Sequence, residues 1–269
     1  MPSINSLVKA IRIMELFSPD EPRLTLTEIS ARLSMPKSTA HHILATLLNE
    51  GFVEKVDGDS YALGMAVIAL TQNVRVNVEL RDRAAPILRG LADQTRESVY
   101  LTVPDADCVL YIYAVESPQR LLARTAIGDR VSMHCTSVGK AVLAYYTPEE
   151  QARVVANTGL PAYTPATITD FAALHHELEL TKYRGYAIDR EEHETHTFCI
   201  GAPIFGIGQR VIGSCSISGA DPEILGSRML PLVENVVSAA EDVSRRMGYV
   251  PSTATQSASA ARRNGSQNR

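Results

Sequence analysis

Apolar residues recur every three or four positions along the N-terminal part of the chain. Leu7, Val8, Ile11, Met14 and Leu16 predict an amphipathic helix over 5–17, ended by Pro19 and Pro22. Thr25 or Thr27 offers the next N-cap, and Thr25-Leu26-Thr27-Glu28 has the spacing of a capping box. A short helix follows over about 26–33, with Ile29 and Leu33 turned inward. Ser34-Met35-Pro36 breaks it, and Pro36 suits the first turn of a third helix over about 37–50. Ala40, Ile43, Leu44 and Leu47 form the inward face of that third helix, and Gly51 stops it. Residues 52–56 and 61–63 then flank Asp57-Gly58-Asp59-Ser60, a β-hairpin signal.

Two short helices joined by a tight turn form a helix-turn-helix unit, whose second helix presents its exposed N-terminal residues to the major groove of DNA. Those residues are Lys37, Ser38, Thr39, His41 and His42. A hairpin after such a helix is a wing that rests on the phosphate backbone, which gives Lys55 a phosphate contact. The implied partner is a double-stranded DNA operator. One copy reads one half-site, so a palindromic operator calls for a homodimer or a dimer of dimers. Two readings compete: three packed helices and a hairpin without a DNA role, and a winged domain that binds protein.

Beyond Gly64 the pattern stays helical over 65–95 with an interruption at Pro86, a connecting helix followed by the first helix of a second domain. Arg75, Arg81 and Arg83 on it form a solvated face, a dimer contact or a phosphate contact, and the sequence does not choose. Strands are predicted over 99–103 and 108–115, joined through Pro104-Asp105-Ala106-Asp107, and over 120–125, 185–189, 197–205 and 211–218. Helices are predicted over 137–146, 148–157, 170–184 and 223–247. An antiparallel sheet flanked by helices makes the fold class α+β. The division is a winged helix-turn-helix domain at 1–64, a linker helix at 65–83, a ligand-sensing domain at 84–249 and a tail at 250–269. That tail has nothing to bury and is expected to be disordered, with Arg262 and Arg263 solvated.

With 269 residues, 45% apolar and 21% charged, the chain has the length of two ordinary globular domains. No apolar run approaches the roughly 18 residues of a membrane span, and the first residues lack a signal-peptide pattern, so a cytoplasmic protein is expected. The net charge of −4 gives no general attraction for nucleic acid, so any DNA contact depends on a local face. Cys108, Cys135, Cys199 and Cys215 are far apart and lie among apolar or small residues, which favours reduced, buried thiols over a disulfide framework or a zinc site.

Three blocks in order resemble the IclR family of bacterial regulators, over about Leu7 to Gly248. The first is the helix-turn-helix with Met35-Pro36-Lys37-Ser38-Thr39. The second is His134-Cys135-Thr136-Ser137-Val138-Gly139-Lys140-Ala141, similar to that family's His-x-[Ser/Thr]-x-x-Gly-Lys-Ala. The third is Gly185-Tyr186-Ala187-Ile188-Asp189-Arg190-Glu191-Glu192, continued by Cys199-Ile200-Gly201-Ala202-Pro203 and Ser214-Cys215-Ser216-Ile217-Ser218-Gly219. The resemblance implies a GAF-like effector domain with a pocket between the sheet and the 137–146 helix. It also implies a repressor or activator of catabolic-type genes that senses a small organic or aromatic acid. Carried over by position, the effector contacts are Ser137, Val138, Asp189, Cys199, Ser216 and Ser218.

Residue chemistry agrees: the start of a helix at 137 favours a carboxylate, and Ser216 and Ser218 face the same side of a strand. Three features depart from the family pattern, one being that Ser137-Val138 in the ligand loop is bulkier and more polar than the small pair of some relatives. Ser34 stands where the family usually has Gly, so Ser34 takes φ > 0 or the turn differs, and His42 stands where the family commonly has Arg.

No enzyme, cofactor or metal is implied. Ser137-Val138-Gly139-Lys140 matches Ser-x-x-Lys, the basis of a competing hydrolase reading, but lacks a Ser-Asp-Asn or Lys-Thr-Gly partner, and Lys140 better pairs with a carboxylate. His193-Glu194-Thr195-His196 lacks the His-Glu-x-x-His spacing and reads as a surface loop. His175 and His176 read as solvent-facing, Cys199 as buried lining, and Asp189 as a ligand contact in preference to a salt bridge with Arg184 or Arg190.

Overall fold

The computed structural model describes residues 4–18, 21–71, 75–117 and 127–250. The Pro19 helix stop, the strand expected over 120–125 and the tail from 251 lie outside the described residues. Two compact units divide the chain at 78/79.

The first unit runs α1 (Asn5–Met14), β1 (Leu24–Thr25), α2 (Leu26–Arg32), α3 (Lys37–Asn49), β2 (Val53–Val56), β3 (Ser60–Leu63) and α4 (Met65–Thr71). Thr25 caps α2 in a complete capping box, its backbone N–H donating to Glu28 Oε2 at 2.7 Å. Ile13, Ile29, Ala40 and Leu44 are fully buried where the three helices meet. Burial in α1 falls on Ile13, while Leu7 and Ile11 of the apolar pattern are exposed. The hairpin forms as expected, and β1 adds a third strand by pairing Leu24 with Tyr61. Two residues are too few to show a strand period, so the sequence held no sign of β1.

In the turn between α2 and α3, Ser34 takes φ 48. That conformation lets the Met35 N–H reach the Ser30 carbonyl at 2.9 Å and the Ser30 hydroxyl reach the Met35 carbonyl. The side chain of Ser34 is exposed, so only its left-handed backbone carries a cost.

The second unit runs α5 (Arg75–Thr95), β4 (Ser98–Asp105), β5 (Cys108–Val115), β6 (Arg130–Ser132), α6 (Ser137–Leu143), α7 (Pro148–Thr158), α8 (Phe171–Arg184), β7 (Ala187–Arg190), β8 (Phe198–Phe205), β9 (Val211–Gly219) and α9 (Met229–Arg246). The boundary between the units falls within α5. All six strands are antiparallel, in the order β6-β5-β4-β9-β8-β7. Strand alternation sorts the side chains: Val99, Leu101, Ile200, Cys215 and Ile217 join a core with α5 and α9. Tyr100, Tyr111 and Val109 face the other way, into a second core with α6, α7 and α8.

Pro86 does not interrupt the helix; α5 continues through it. A proline removes its own N–H, and buried Ala84, Leu88 and Leu91 on either side hold the helix on the sheet. The helix expected over 223–247 is split instead, into a 3₁₀ turn at Pro222–Leu225 and α9, because Gly226 leaves the helical region at φ −108, ψ −124. All four cysteines are free, with Cys135, Cys199 and Cys215 buried and Cys108 only half-buried.

Replacing Ser34 by glycine relieves the left-handed strain, partly offset by the added freedom of the unfolded chain. Ser34→Gly is expected to stabilise the first unit by up to about 1 kcal/mol, read as a higher urea midpoint; a lower midpoint would show that the serine contributes more than its backbone.

Candidate functional site

Residues 37, 38, 41 and 42 occupy the N-terminal end of α3, whose buried residues are Ala40, Leu44 and Leu47. Lys37, Ser38, His41 and His42 are exposed, while Thr39 is half-buried. The His41 and His42 rings stand 6.1 Å apart, edge to face. This is a polar, hydrogen-bonding surface on an otherwise apolar helix. On the wing, Lys55 is exposed but engaged locally, with its ammonium 3.8 Å from Asp59 and 5.9 Å from the centre of the Tyr61 ring. Asp57 on the same turn pairs with Arg23. The wing tip therefore carries acidic groups beside its one cation.

The second candidate is a small, partly open cavity between the sheet and α6, of about 40 Å³. Ser137, Val138, Asp189, Cys199, Ser216 and Ser218 all line it. Sheet register brings them together. Asp189 pairs with Cys199 and Cys199 with Ser218, while Ser216 pairs with Tyr100 on one side and Gly201 on the other. The Cys199 thiol donates to the Ser218 hydroxyl at 3.1 Å.

Ser137 and Val138 reach the cavity because α6 rests on bare backbone. A methyl group on Gly201 would stand 2.6 Å from the Ser137 carbonyl oxygen. The Ser214 hydroxyl donates to the Val138 carbonyl at 2.9 Å and locks the same turn to β9. Thr136 caps α6, accepting from the Gly139 N–H at 3.1 Å. α6 ends at Leu143, shorter than the 137–146 helix expected.

Sequence reasoning missed Tyr100, Tyr111, Thr136, His193, Glu194 and Thr197 in the same wall. Tyr100 was readable as the polar-tipped partner of the alternating Val99 and Leu101. The loop after β7 was misjudged as a solvated surface: His193 and Glu194 line the cavity and Glu192 is buried. Chain spacing gave no hint, because the contacts come from α6 and from a loop at 159–169. Tyr163 meets the His193 ring at 4.8 Å, and Cys135 Sγ lies 3.7 Å from His193 Nδ1.

Lys140 is 1% exposed, with its ammonium 2.5 Å from Glu192 and 3.8 Å from Glu177. Arg184 completes the cluster at 2.6 Å from Glu177. A lysine so engaged is a poor base for Ser137, which argues against the Ser-x-x-Lys hydrolase reading. Asp189, 3% exposed, pairs with neither Arg184 nor Arg190; it accepts from the Glu192 N–H at 2.8 Å. Burial, then the nearby Glu192 carboxylate, push its pKa up to about 7. Burial also raises Glu192 and drives the Cys135 thiol up to about 12, so Cys135 is not a thiolate near neutral pH. His193 is held below the usual histidine range by burial. Among the described residues no three His, Cys, Asp or Glu side chains converge to hold a metal ion, and no helix is long and apolar enough to cross a membrane.

Two family models match the chain: the IclR helix-turn-helix domain over residues 6–57 and the bacterial transcriptional regulator IclR C-terminal domain over residues 72–245. The HTH-type transcriptional regulator KipR of Bacillus subtilis is 30% identical over 91% of this chain and 97% of its own length. The crystal structure of the Thermotoga maritima IclR superposes with a TM-score of 0.77 at 30% identity, covering 92% of this chain and 100% of that one. An IclR homolog from Microbacterium hydrocarbonoxydans, complexed with 4-hydroxybenzoate, superposes at 0.82 with 26% identity over 90% of this chain and 98% of that one.

Two substitutions test this construction. Gly201→Ala is expected to cost about 1–3 kcal/mol in urea unfolding, because backbone cannot yield as a side chain does. Lys140→Met is expected to cost about 3–5 kcal/mol, since it strands the buried Glu192 carboxylate without a cation; wild-type stability would contradict the close backbone approach in the first variant and the buried ion pair in the second.

Proposed function

The chain belongs to the IclR family of bacterial transcriptional regulators, and from that premise we propose that it is an effector-responsive switch on DNA. DNA-binding regulation is the activity of its relatives, which are regulators and not enzymes. In our reading Lys37, Ser38, Thr39, His41 and His42 contact base edges and phosphates in the major groove, with Lys55 at the backbone. His42 donates fewer hydrogen bonds than an arginine would and carries no fixed charge, which favours a narrower contact.

The cavity carries the sensing half of the proposal. Its wall combines two phenols, several hydroxyls and Val138, chemistry suited to a small acid with an aromatic or hydroxylated body. The 4-hydroxybenzoate bound by the Microbacterium relative supports that class. We read 84–249 as a GAF-like effector domain and 65–83 as the linker helix. Control of catabolic-type genes through a palindromic operator follows from the same reading, with the protein as a homodimer or a dimer of dimers. Exposed Leu7 and Ile11 on α1 and Met65 and Leu70 on α4 support self-association, being large apolar side chains of the kind that an interface covers. An effector that prefers one arrangement of the protein shifts the balance between DNA-competent and incompetent states.

A duplex selected by the protein from random DNA provides the test. Lys37→Ala and His42→Ala are expected to weaken binding by about 1–3 kcal/mol each, measured by fluorescence anisotropy; unchanged affinity would refute the contact list. A thermal-shift screen with small carboxylic and aromatic acids tests the cavity. Ser218→Ala should weaken the effector response and leave DNA affinity nearly unchanged, whereas equal loss of both would assign Ser218 to the fold.

A further inference from the structure

The cavity wall presents an acid-sensing site with an unusual charge balance. Among the described residues lining it there is no lysine or arginine, and two lining residues, Asp189 and Glu194, are carboxyls. The nearest cation, Lys140, is committed to Glu192, and behind it Arg184 is committed to Glu177. Both cations are thus taken up by Glu192 and Glu177, and among the described residues no cation stands within ion-pair distance of Asp189. The second oxygen of Glu192 is buried with no hydrogen-bond partner, so that side of the cluster holds no spare donor. A ligand carboxylate entering here has the start of α6 beside it but no side-chain cation, and it meets a like charge in low dielectric that is unfavourable while Asp189 is ionised.

Resting on the reading of this cavity as the effector site, we infer that Asp189 grips the acid end of the effector in its protonated form, so that effector binding takes up a proton. A carboxylic acid facing a carboxylate is a strong, charge-assisted donor. Asp189 lines the cavity with its Oδ1 accepting the Glu192 N–H at 2.8 Å, and the His193 N–H is a second backbone donor to the same carboxyl. Burial and the Glu192 carboxylate favour the protonated form, and they outweigh the Lys140 charge and the Glu192 and His193 N–H groups, which favour the ionised one. From β8 and β9 come Cys199 and Ser218, both uncharged. The loop after β7 supplies Glu192, the half-buried Glu194 and His193, which burial holds below the usual histidine range; the turn before α6 supplies Cys135 as a thiol; α6 and α8 supply the paired Lys140, Glu177 and Arg184. Burial and the Glu192 carboxylate bring the ionisation of Asp189 to about 7. Below that pH the site is ready for a carboxylate, and above it each binding event must first protonate Asp189. The device would make the regulator report acid concentration and pH together.

The test is calorimetric titration of the full chain with 4-hydroxybenzoate and with lactate, as an aromatic and an aliphatic acid, from pH 5.5 to 8.5. The uncharged 4-hydroxybenzamide serves as control. The expected Kd for the acids is level below pH 7 and rises about tenfold per pH unit above it. Repeating the pH 8 titration in two buffers of different ionisation enthalpy should show close to one proton taken up per acid bound, and none for the amide. Asp189→Asn keeps the acceptor for the Glu192 N–H and a donor for the ligand at every pH, so its Kd for the acids should be level across the range. Acid binding by the wild type that is level in pH, or tightens as pH rises, overturns the inference and leaves the cavity reading intact. The same holds if the Asn variant keeps the wild-type slope, which would assign the proton to another group. Failure of both acids to bind the wild type even at pH 5.5 overturns the inference together with the acid-sensing cavity on which it rests.

Discussion

Backbone packed directly on backbone, where Ser137 meets Gly201, is the contact on which the second unit depends. A helix normally stands about one side-chain layer above a sheet, since ridges of side chains separate them. Here the start of α6 descends into that layer, because β8 offers no Cβ and the Ser214 hydroxyl takes the Val138 carbonyl. Lowering one end of the helix leaves a wedge of space beside it, walled by Tyr100, Tyr111 and the outward hydroxyls of β9. The cavity is the geometric consequence of a glycine opposite a helix start.

The same descent accounts for the buried charges. Lys140 lies one turn along α6, too deep for its ammonium to reach water, so the fold surrounds it with Glu192 and Glu177. Those carboxylates tie α6 to α8 and to the loop after β7. The loop has few apolar anchors and is held by polar contacts, such as the Thr164 hydroxyl on the Glu191 carbonyl at 2.6 Å. Glu191 and His196 both take φ 58. Left-handed backbone at two non-glycine residues is tolerated when surrounding contacts over-determine it. A ligand touching Asp189, His193 or Glu194 therefore acts on the most polar, least apolar-anchored wall of its own site, where a change in binding is most easily converted into a change in conformation.

In the first unit the same economy of contact works differently. Three helices share a small core, and the residues that face solvent at the head of α3 are released from packing to serve recognition. The wing holds its single lysine 3.8 Å from its own aspartate, while Lys37 at the head of α3 takes part in no ion pair among the described residues.

Local chemistry was enough to determine much of this protein. Capping at Thr25, the helical period of α3, the hairpin at 57–59 and the strand alternation of β9 depend on residues within a few positions of one another, so the two-unit α+β organisation and the shared side of Ser216 and Ser218 were legible in the chain. Family resemblance, not spacing, pointed to Asp189 and Cys199, and register then set them side by side. What the tertiary structure alone decided depends on residues distant in sequence: the passage of α5 through Pro86, the third strand β1, the burial of Ile13, and His193 and Glu194 as cavity wall in place of a solvated loop. The charge state of Asp189 belongs to this second group as well. A carboxyl titrates according to what surrounds it in space, and its surroundings come from a helix, two strands and a loop that meet only when the chain has folded.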